Sequence, residues 1–117
     1  MSELHSEQFI IPDWPAPMTV RAVSTTRQGG VSLPPYASLN LANHVGDDPA
    51  HVAENRRRLM SLAGLPAEPA WLEQVHGTVV VAAETVLRPV AADAAFTREA
   101  GRPCVVMTAD CLPALFC

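Results

Sequence analysis

The stretch 70-AWLEQVHGTVVVAA-83 decides the fold, because it holds two apolar runs separated by a His-Gly pair. Residues 70–75 and 78–83 have the composition and length typical of short strands. We expect His76 and Gly77 to form a corner between them, because Gly77 readily takes the positive φ that lets the backbone turn sharply. A histidine at a strand end can serve a site, but an ordinary turn histidine has the same signature.

One helix is predicted before this stretch, and its ends are well marked. The pair 47-DD-48 can cap the helix, Pro49 suits its first turn and Gly64 ends it. The run 56-RRR-58 lies mostly off the apolar face, which favours a solvated helix surface over a nucleic-acid contact. The apolar face at helical spacing consists of Val52, Leu59, Met60 and Ala63.

The remaining chain predicts a mixed α/β fold. Further strands are predicted at 18–25, at 103–108 and from 113 onward, with a turn at 88–92. Residues 26–48 form a long polar loop, a kind of segment that tends to be functional. Strands that alternate with one clear helix indicate an α/β chain. Because the sequence stops inside an apolar run, we expect it to be the N-terminal part of a longer domain.

Composition excludes several classes of protein. About half of the 117 residues are hydrophobic (49%), so a folded core is expected rather than disorder. The net charge of −4 and the lack of a long basic block argue against nucleic acid as a partner. No apolar stretch is long enough to cross a bilayer, and the acidic N-terminus does not resemble a secretory signal. We therefore predict a cytoplasmic protein with no membrane partner.

Cys111, in the segment 108-TADCLP-113, is a candidate nucleophile or metal ligand. Both roles need a thiolate, whereas a buried cysteine can also act as a small apolar side chain. His76 and Cys111 would supply two ligands, and a catalytic zinc usually has three protein ligands. The third ligand is left open among His44, Cys104, Cys117 and a residue beyond the end of this sequence.

The loop 25-TTRQGG-30 is a candidate anion site. Arg27 carries a planar donor fork that suits phosphate or carboxylate. The backbone N–H groups of Gly29 and Gly30 can converge on an anion. A turn with a solvated arginine fits the same residues, and Asn40 further along the loop fits ordinary hydrogen bonding to backbone.

Taken in order, five segments closely resemble the bacterial YfiH-type family. This family is also called the laccase-domain or polyphenol oxidoreductase family, and it includes purine nucleoside phosphorylases and a peptidoglycan-editing factor. The segments are 25-TTRQGGVSLPPYASLNLANHVGDDP-49, 55-NRRRL-59, 71-WLEQVHG-77, 92-ADA-94 and 108-TADCLP-113.

The resemblance implies a fold and a site. The expected fold is a layered α-β-β-α sandwich of the cysteine-hydrolase-like type, of which residues 1–117 would be the N-terminal part of a single domain. The family carries a His–Cys–His metal site, and the resemblance matches its first two ligands to His76 and Cys111. Its third ligand belongs to a downstream His motif that this sequence does not contain. The family arginine matches Arg27, which implies a phosphate contact.

The resemblance also implies an activity. A purine nucleoside phosphorylase would cleave adenosine, inosine or methylthioadenosine with phosphate, with adenosine deaminase as a further activity. His76 and Cys111 would be catalytic and bind zinc or copper, while Arg27, Gly29, Gly30 and Asn40 would bind substrate or phosphate. The alternatives are a cysteine-type hydrolase or amidase that edits muramyl-peptide precursors, and a copper-dependent polyphenol oxidase. The oxidase is disfavoured because multicopper sites need many histidines and this sequence has four. The oligomeric state is left open.

Overall fold

A computed structural model describes residues 9–109 and 112–117 as a small α+β protein. Cys111 and its neighbour Asp110 lie outside the described residues. The described chain divides into two compact units, one that runs to Gly64 and includes Ala114–Cys117, and one that runs from Leu65 to Pro113. In chain order the elements are β1 (Phe9–Ile10), β2 (Ser24–Thr25), α1 (Pro49–Ala63), β3 (Leu72–Glu73), β4 (Val80–Ala82), a 3₁₀ turn (Ala83–Thr85), β5 (Val90–Ala91) and β6 (Ala94–Phe96).

Helix α1 begins and ends where the sequence predicts. The Asp48 carboxylate accepts a hydrogen bond from the Ala50 N–H at 2.8 Å, which caps the first turn. Gly64 takes the left-handed conformation and its N–H bonds the last carbonyls of the helix. The buried face contains one polar residue that the apolar pattern does not predict. This polar residue is Asn55, which is buried together with Val52, Leu59 and Ala63, whereas Met60 is only half-buried.

The first unit has little sheet. Strands β1 and β2 pair antiparallel, with Phe9 opposite Thr25. The strand predicted at 18–25 therefore forms only at its last two residues, and β1 was not predicted. The loop predicted at 26–48 is confirmed, because those residues contain neither helix nor strand. The buried apolar side chains of this unit are Phe9, Leu39, Val52, Leu59 and Ala63.

The second unit is built on two long segments that run parallel. Leu72 lies opposite Val90 and, further along, Val80 lies opposite Ala94. The offset between paired residues falls from 18 to 14 between these two points (90 − 72 and 94 − 80). Four residues of the 72–82 segment are thus left out of the ladder, as in an enlarged β-bulge. The chain bulges where the sequence predicts the His-Gly corner.

Other predictions for the chain after β4 are partly wrong. Residues 88–92 were expected to turn, but Val90–Ala91 form β5, because a parallel neighbour satisfies their backbone groups. The strand predicted at 103–108 is reduced to one parallel bridge between Ala70 and Cys104. Residues 112–117 contain no strand.

The α+β class is confirmed at this coarse level, and the layered sandwich stays a prediction. No helix among the described residues is long and apolar enough to cross a membrane. The buried apolar side chains of the second unit are Ala70, Trp71, Leu72, Ala83 and Ala92.

Candidate functional site

His76 lies exposed in the bulge between β3 and β4. Its φ is 59°, and it is the non-glycine residue with positive φ in the described chain. This left-handed conformation is uncommon for a residue with a Cβ and must be stabilised by its surroundings. The corner predicted at this position is thus confirmed, and its backbone is strained.

The Asp93 carboxylate stabilises this corner. One oxygen, Oδ1, accepts hydrogen bonds from the N–H groups of Val75 at 3.0 Å and His76 at 2.8 Å. The other oxygen, Oδ2, accepts from the Gly77 N–H at 2.8 Å. Partial burial opposes ionisation of Asp93, but the three N–H donors outweigh it and hold the pKa of this carboxyl below its ordinary value.

The sharp turn was expected of Gly77, and the structure assigns it to His76 instead. Gly77 is not among the glycines with positive φ, and a Cβ on it would meet its nearest atom, Asp93 Oδ2, at 3.4 Å. That distance is ordinary van der Waals contact. His76 can take the left-handed conformation because Asp93 binds the N–H groups on both sides of it.

Arg27 lies in the other candidate region, the loop that precedes α1. Its side chain is exposed, and it forms no ion pair within residues 9–109 and 112–117. Its backbone is fixed, because its carbonyl accepts from the N–H groups of Ser38 at 2.8 Å and Leu39 at 2.9 Å. The Ser38 hydroxyl donates to the same carbonyl at 2.9 Å. A guanidinium on a fixed backbone, with no ion pair to the described residues, can bind an anion.

The glycine pair beside Arg27 permits a very close approach of two backbone segments. A Cβ at Gly30 would lie 2.1 Å from the Ser38 carbonyl oxygen and 2.6 Å from Asn55 Oδ1. The Gly30 N–H donates to the Ser38 hydroxyl at 3.1 Å. Gly29 takes a φ of 100°. Both glycines thus shape the loop, and the prediction that their N–H groups bind an anion stays a prediction.

Asn55, the buried polar residue of α1, connects the helix to this loop. Its Oδ1 accepts from the Val31 N–H at 2.8 Å, and its Nδ2 donates to the Ser32 hydroxyl and the Asn40 carbonyl, each at 2.8 Å. Asn55 has no solvent exposure (0%), so the contacts satisfy an amide that would otherwise be costly to bury.

Asn40 and Asp47 continue the network. The Asn40 amide donates to Asp47 Oδ2 at 3.1 Å, and the Ser32 hydroxyl donates to the same oxygen at 2.5 Å. The Ser32 bond is the main reason that the pKa of Asp47 lies below its ordinary value. The Asn40 side chain is engaged within the loop in this structure, and its predicted contact with substrate stays a prediction.

The three arginines of α1 are not a uniformly solvated face. Arg56 donates to the Leu41 carbonyl at 2.9 Å, and Arg58 donates to the Gly29 carbonyl at 3.2 Å. Arg57, the most exposed of them, pairs with Glu54, as does Arg58. Their hydrogen bonds lower the pKa of Glu54 to about 2. Two of the three side chains therefore bind the loop that carries Arg27.

Of the two predicted metal ligands, the described residues include only His76. His76 is exposed and fits the role of one ligand, but Cys111 lies outside the described residues. No three His, Cys, Asp or Glu side chains come together as a metal group in the part of the chain that the structure describes. The candidates for a third ligand, His44, Cys104 and Cys117, are all exposed. Desolvation by neighbouring atoms and the Glu84 charge raise the pKa of Cys104, which disfavours its thiolate.

Sequence reasoning missed Asn55 and Asp93 as residues that shape the two regions. A signal existed for each: Asn55 interrupts an apolar helix face, and Asp93 stands alone between alanines in the segment 92-ADA-94. A polar side chain at a position with buried neighbours must find hydrogen-bond partners. Which loop supplies those partners is decided by the tertiary structure.

The chain is similar to known proteins over most of its length. Residues 21–117 match the family described as multi-copper polyphenol oxidoreductase laccase. The chain is 55% identical over 113 residues to "Purine nucleoside phosphorylase YfiH" of Escherichia coli, covering 94% of this chain and 46% of that protein. It is 56% identical to "Purine nucleoside phosphorylase PA4543" of Pseudomonas aeruginosa, covering 93% and 44%. The chain therefore spans slightly less than half the length of these relatives.

Two crystal structures resemble the chain. Neisseria meningitidis protein NMB0706 matches with a TM-score of 0.83 and 48% identity, over 89% of this chain and 43% of that protein. YlmD from Geobacillus stearothermophilus matches with a TM-score of 0.73 and 29% identity, over 86% and 42%.

Proposed function

Because the chain belongs to the multi-copper polyphenol oxidoreductase laccase family, we propose that it is part of a purine nucleoside phosphorylase of that family. The observation that carries the proposal is its identity of 55% and 56%, over more than nine-tenths of its length, to two proteins that bear this name. Its substrates would be adenosine, inosine or methylthioadenosine together with phosphate. The activity is proposed for the full-length protein, of which this chain would be the N-terminal part.

Arg27 would hold the phosphate in this reaction. In phosphorolysis a phosphate oxygen forms a bond to the anomeric carbon, the C–N glycosidic bond breaks, and the base leaves with the electron pair and takes up a proton. The products are the free base and ribose 1-phosphate. By analogy with other glycosyl cleavage, positive charge develops on the sugar. The exposed guanidinium of Arg27 would orient the phosphate, and the fixed Arg27 carbonyl would limit the movement of that side chain.

His76 and Cys111 would bind the metal together with a histidine from a downstream motif. The corner supports His76 in this role because it exposes the imidazole on a backbone held by three hydrogen bonds. The parallel bridge between Ala70 and Cys104 sends the chain that leads to Cys111 in the same direction as β3, which leads to His76. Zinc suits a His-Cys-His set, with copper as the alternative, and when bound it would polarise substrate or lower the pKa of a water molecule.

Product analysis with the full-length protein tests the reaction. Adenosine is incubated with and without phosphate, and the products are separated by chromatography. We expect adenine and ribose 1-phosphate only when phosphate is present. Inosine would identify a deaminase instead, and the absence of any product would remove nucleoside turnover altogether. A phenol with copper-loaded protein, assayed in parallel, tests the oxidase activity that the family description names.

Substitution of Arg27 tests its role in the same assay. Arg27→Ala is expected to raise the KM for phosphate about 10- to 100-fold, because a charge-assisted hydrogen bond to the anion is lost. The KM for adenosine should change much less. Arg21→Ala is the matched control, since Arg21 is also an exposed arginine of the first unit. An unchanged KM for phosphate in Arg27→Ala would show that the anion binds elsewhere.

Cys111→Ala distinguishes the proposed metal-dependent phosphorylase from the remaining alternative, a cysteine-type hydrolase that acts on muramyl-peptide precursors. A metal ligand predicts loss of zinc together with loss of turnover. A nucleophile predicts covalent labelling of Cys111 by an electrophilic substrate analogue in protein that holds no metal on this thiolate. The layered sandwich and the cytoplasmic location belong to this proposal and rest on the family resemblance and the sequence.

A further inference from the structure

We propose that Asp93 is a positioning residue that holds the strained backbone of His76 and thereby aims its imidazole into the site. The inference deepens the proposed function and rests on it for the role of His76 as a ligand. Asp93 touches the backbone of the corner and not the imidazole, so its effect on chemistry is indirect.

The gap in the ladder shows why the corner needs the three hydrogen bonds to the Asp93 carboxylate, which we call the clamp. Four residues drop out of the parallel pairing between Leu72–Glu73 and Val80–Ala82. Their N–H groups lose the partners that a continuous ladder would provide. Asp93 lies opposite this gap, between β5 and β6, and its carboxylate replaces the missing carbonyls for three consecutive residues.

Asp93 is itself well anchored. Its N–H donates to the Val79 carbonyl at 3.0 Å, and the N–H groups of its two neighbours, Ala92 and Ala94, donate to the Glu73 and Val79 carbonyls. The ladder thus fixes the Asp93 backbone on both sides of the bulge. A fixed acceptor with both oxygens occupied by N–H donors defines the path of the corner, and with it the left-handed φ of 59° at His76.

Within residues 9–109 and 112–117, the hydrogen bonds of the Asp93 carboxylate all go to this turn, and the nearby His76 charge also helps to lower its pKa. The adjoining shallow depression is lined by apolar groups and Gln74, with no cation among its lining residues. A carboxylate whose hydrogen bonds all go to the backbone of one turn fixes the conformation of that turn. Partners of a metal ligand generally affect metal binding strongly, and their loss costs about 10- to 100-fold in affinity.

The test uses the full-length protein with Asp93→Ala, Asp93→Asn and the control Glu73→Gln. Glu73 is an exposed carboxylate three residues before His76, so its removal changes the local charge and leaves the clamp intact. Amide hydrogen exchange measures the protection of the three N–H groups that donate to Asp93. Competition with a chelator measures zinc affinity and therefore the role of His76 as a ligand. Circular dichroism confirms that each variant folds.

In Asp93→Ala, the amides of Val75, His76 and Gly77 should exchange about tenfold faster, because each loses a charge-assisted hydrogen bond. The Ala92 and Ala94 amides should keep their protection, which a general loss of stability would not allow. Asp93→Asn keeps one acceptor oxygen, so the exchange rate of the Gly77 amide should rise more than the rates of the Val75 and His76 amides. Zinc affinity should fall about 10- to 100-fold in Asp93→Ala and stay unchanged in Glu73→Gln.

His76→Asn separates this inference from the proposed function. Asparagine tolerates the left-handed conformation but removes the imidazole. If His76→Asn leaves zinc affinity unchanged, the ligand role of His76 fails, whatever Asp93 does. If His76→Asn loses zinc while Asp93→Ala keeps both zinc affinity and amide protection, the positioning role of Asp93 is wrong. Faster exchange in Asp93→Ala with full zinc affinity would also overturn it, since the clamp would then not aim the ligand.

Discussion

Two loops of this molecule each display an exposed polar side chain, Arg27 in one and His76 in the other, and in each a side chain from a later segment forms three hydrogen bonds to the loop. Asn55 holds the Arg27 loop and is fully buried, whereas Asp93 holds the His76 corner near the surface. Both use the same device, because each accepts or donates three hydrogen bonds to loop atoms.

The difference between the two residues follows from burial. A charged group without solvent needs a compensating charge, so the buried position uses a neutral amide that both donates and accepts. Near the surface a carboxylate keeps part of its hydration and forms stronger bonds to N–H donors. In these two regions, solvent access therefore accounts for the choice of a neutral amide in one and a carboxylate in the other.

The largest effect is expected from Gly30→Ala. The new Cβ would meet the Ser38 carbonyl at 2.1 Å and the Leu39 Cα at 2.6 Å, and both are backbone atoms that cannot rotate away. We expect a loss of about 3 kcal/mol or more in the free energy of unfolding, measured by denaturant titration. Gly77→Ala in the other loop is the control, with its nearest contact at 3.4 Å and an expected loss below about 1 kcal/mol. Equal losses at the two glycines would break the comparison.

A somewhat smaller effect is expected from Asn55→Ala. The change leaves the Val31 N–H and the Asn40 carbonyl without their buried partner and opens a small cavity, which together cost about 2–3 kcal/mol. Asn43→Ala, at an exposed position in the same loop, should have little effect. The comparison is sharpened if Asp93→Ala costs clearly less than Asn55→Ala in the same titration. The reverse order would show that burial does not decide the strength of the two clamps.

The smallest effect at neutral pH is expected from Glu54→Gln, because this carboxylate is about one-third exposed (32%) and pairs with arginines that are more exposed than itself. Hydrogen bonds from Arg57 and Arg58 lower the folded pKa of Glu54 from 4.5 to about 2. The stabilisation is therefore fully present above pH 4.5 and is lost as the pH falls from 4.5 toward 2. Near pH 7 the exposed pairs are screened by solvent and contribute little. Below pH 4.5 the free energy of unfolding of the variant should therefore fall less steeply with decreasing pH than that of the unsubstituted protein. An identical pH profile for the two proteins would contradict this expectation.

The helix and the position of the corner were accessible to sequence reasoning because their signals are local. Asp48, Pro49 and Gly64 act on backbone groups within a few residues of themselves, so their meaning does not depend on the rest of the chain. The corner at His76 and Gly77 was found in the same way. The long loop at 26–48 was evident from its Gly, Pro and Asn content.

The strands were less accessible, because a strand exists only when a partner supplies its hydrogen bonds. Residues 18–25 have a strand pattern but pair only at Ser24–Thr25, while Val90–Ala91 lack a strong pattern and pair fully with β3. The same reason hid the residue that turns the corner. A glycine was expected to take the left-handed conformation, and the structure gives it to His76.

The sequence by itself determined one capped helix, the His-Gly corner and the arginine-bearing loop, and it carried the family resemblance that the comparisons confirmed. Only the tertiary structure decided that Asn55 and Asp93 shape the two candidate regions. Asn55 acts on residues 15 to 24 positions away and Asp93 on residues 16 to 18 positions away. Hydrogen bonds over such separations depend on how the segments pack, and neither composition nor periodicity records that packing.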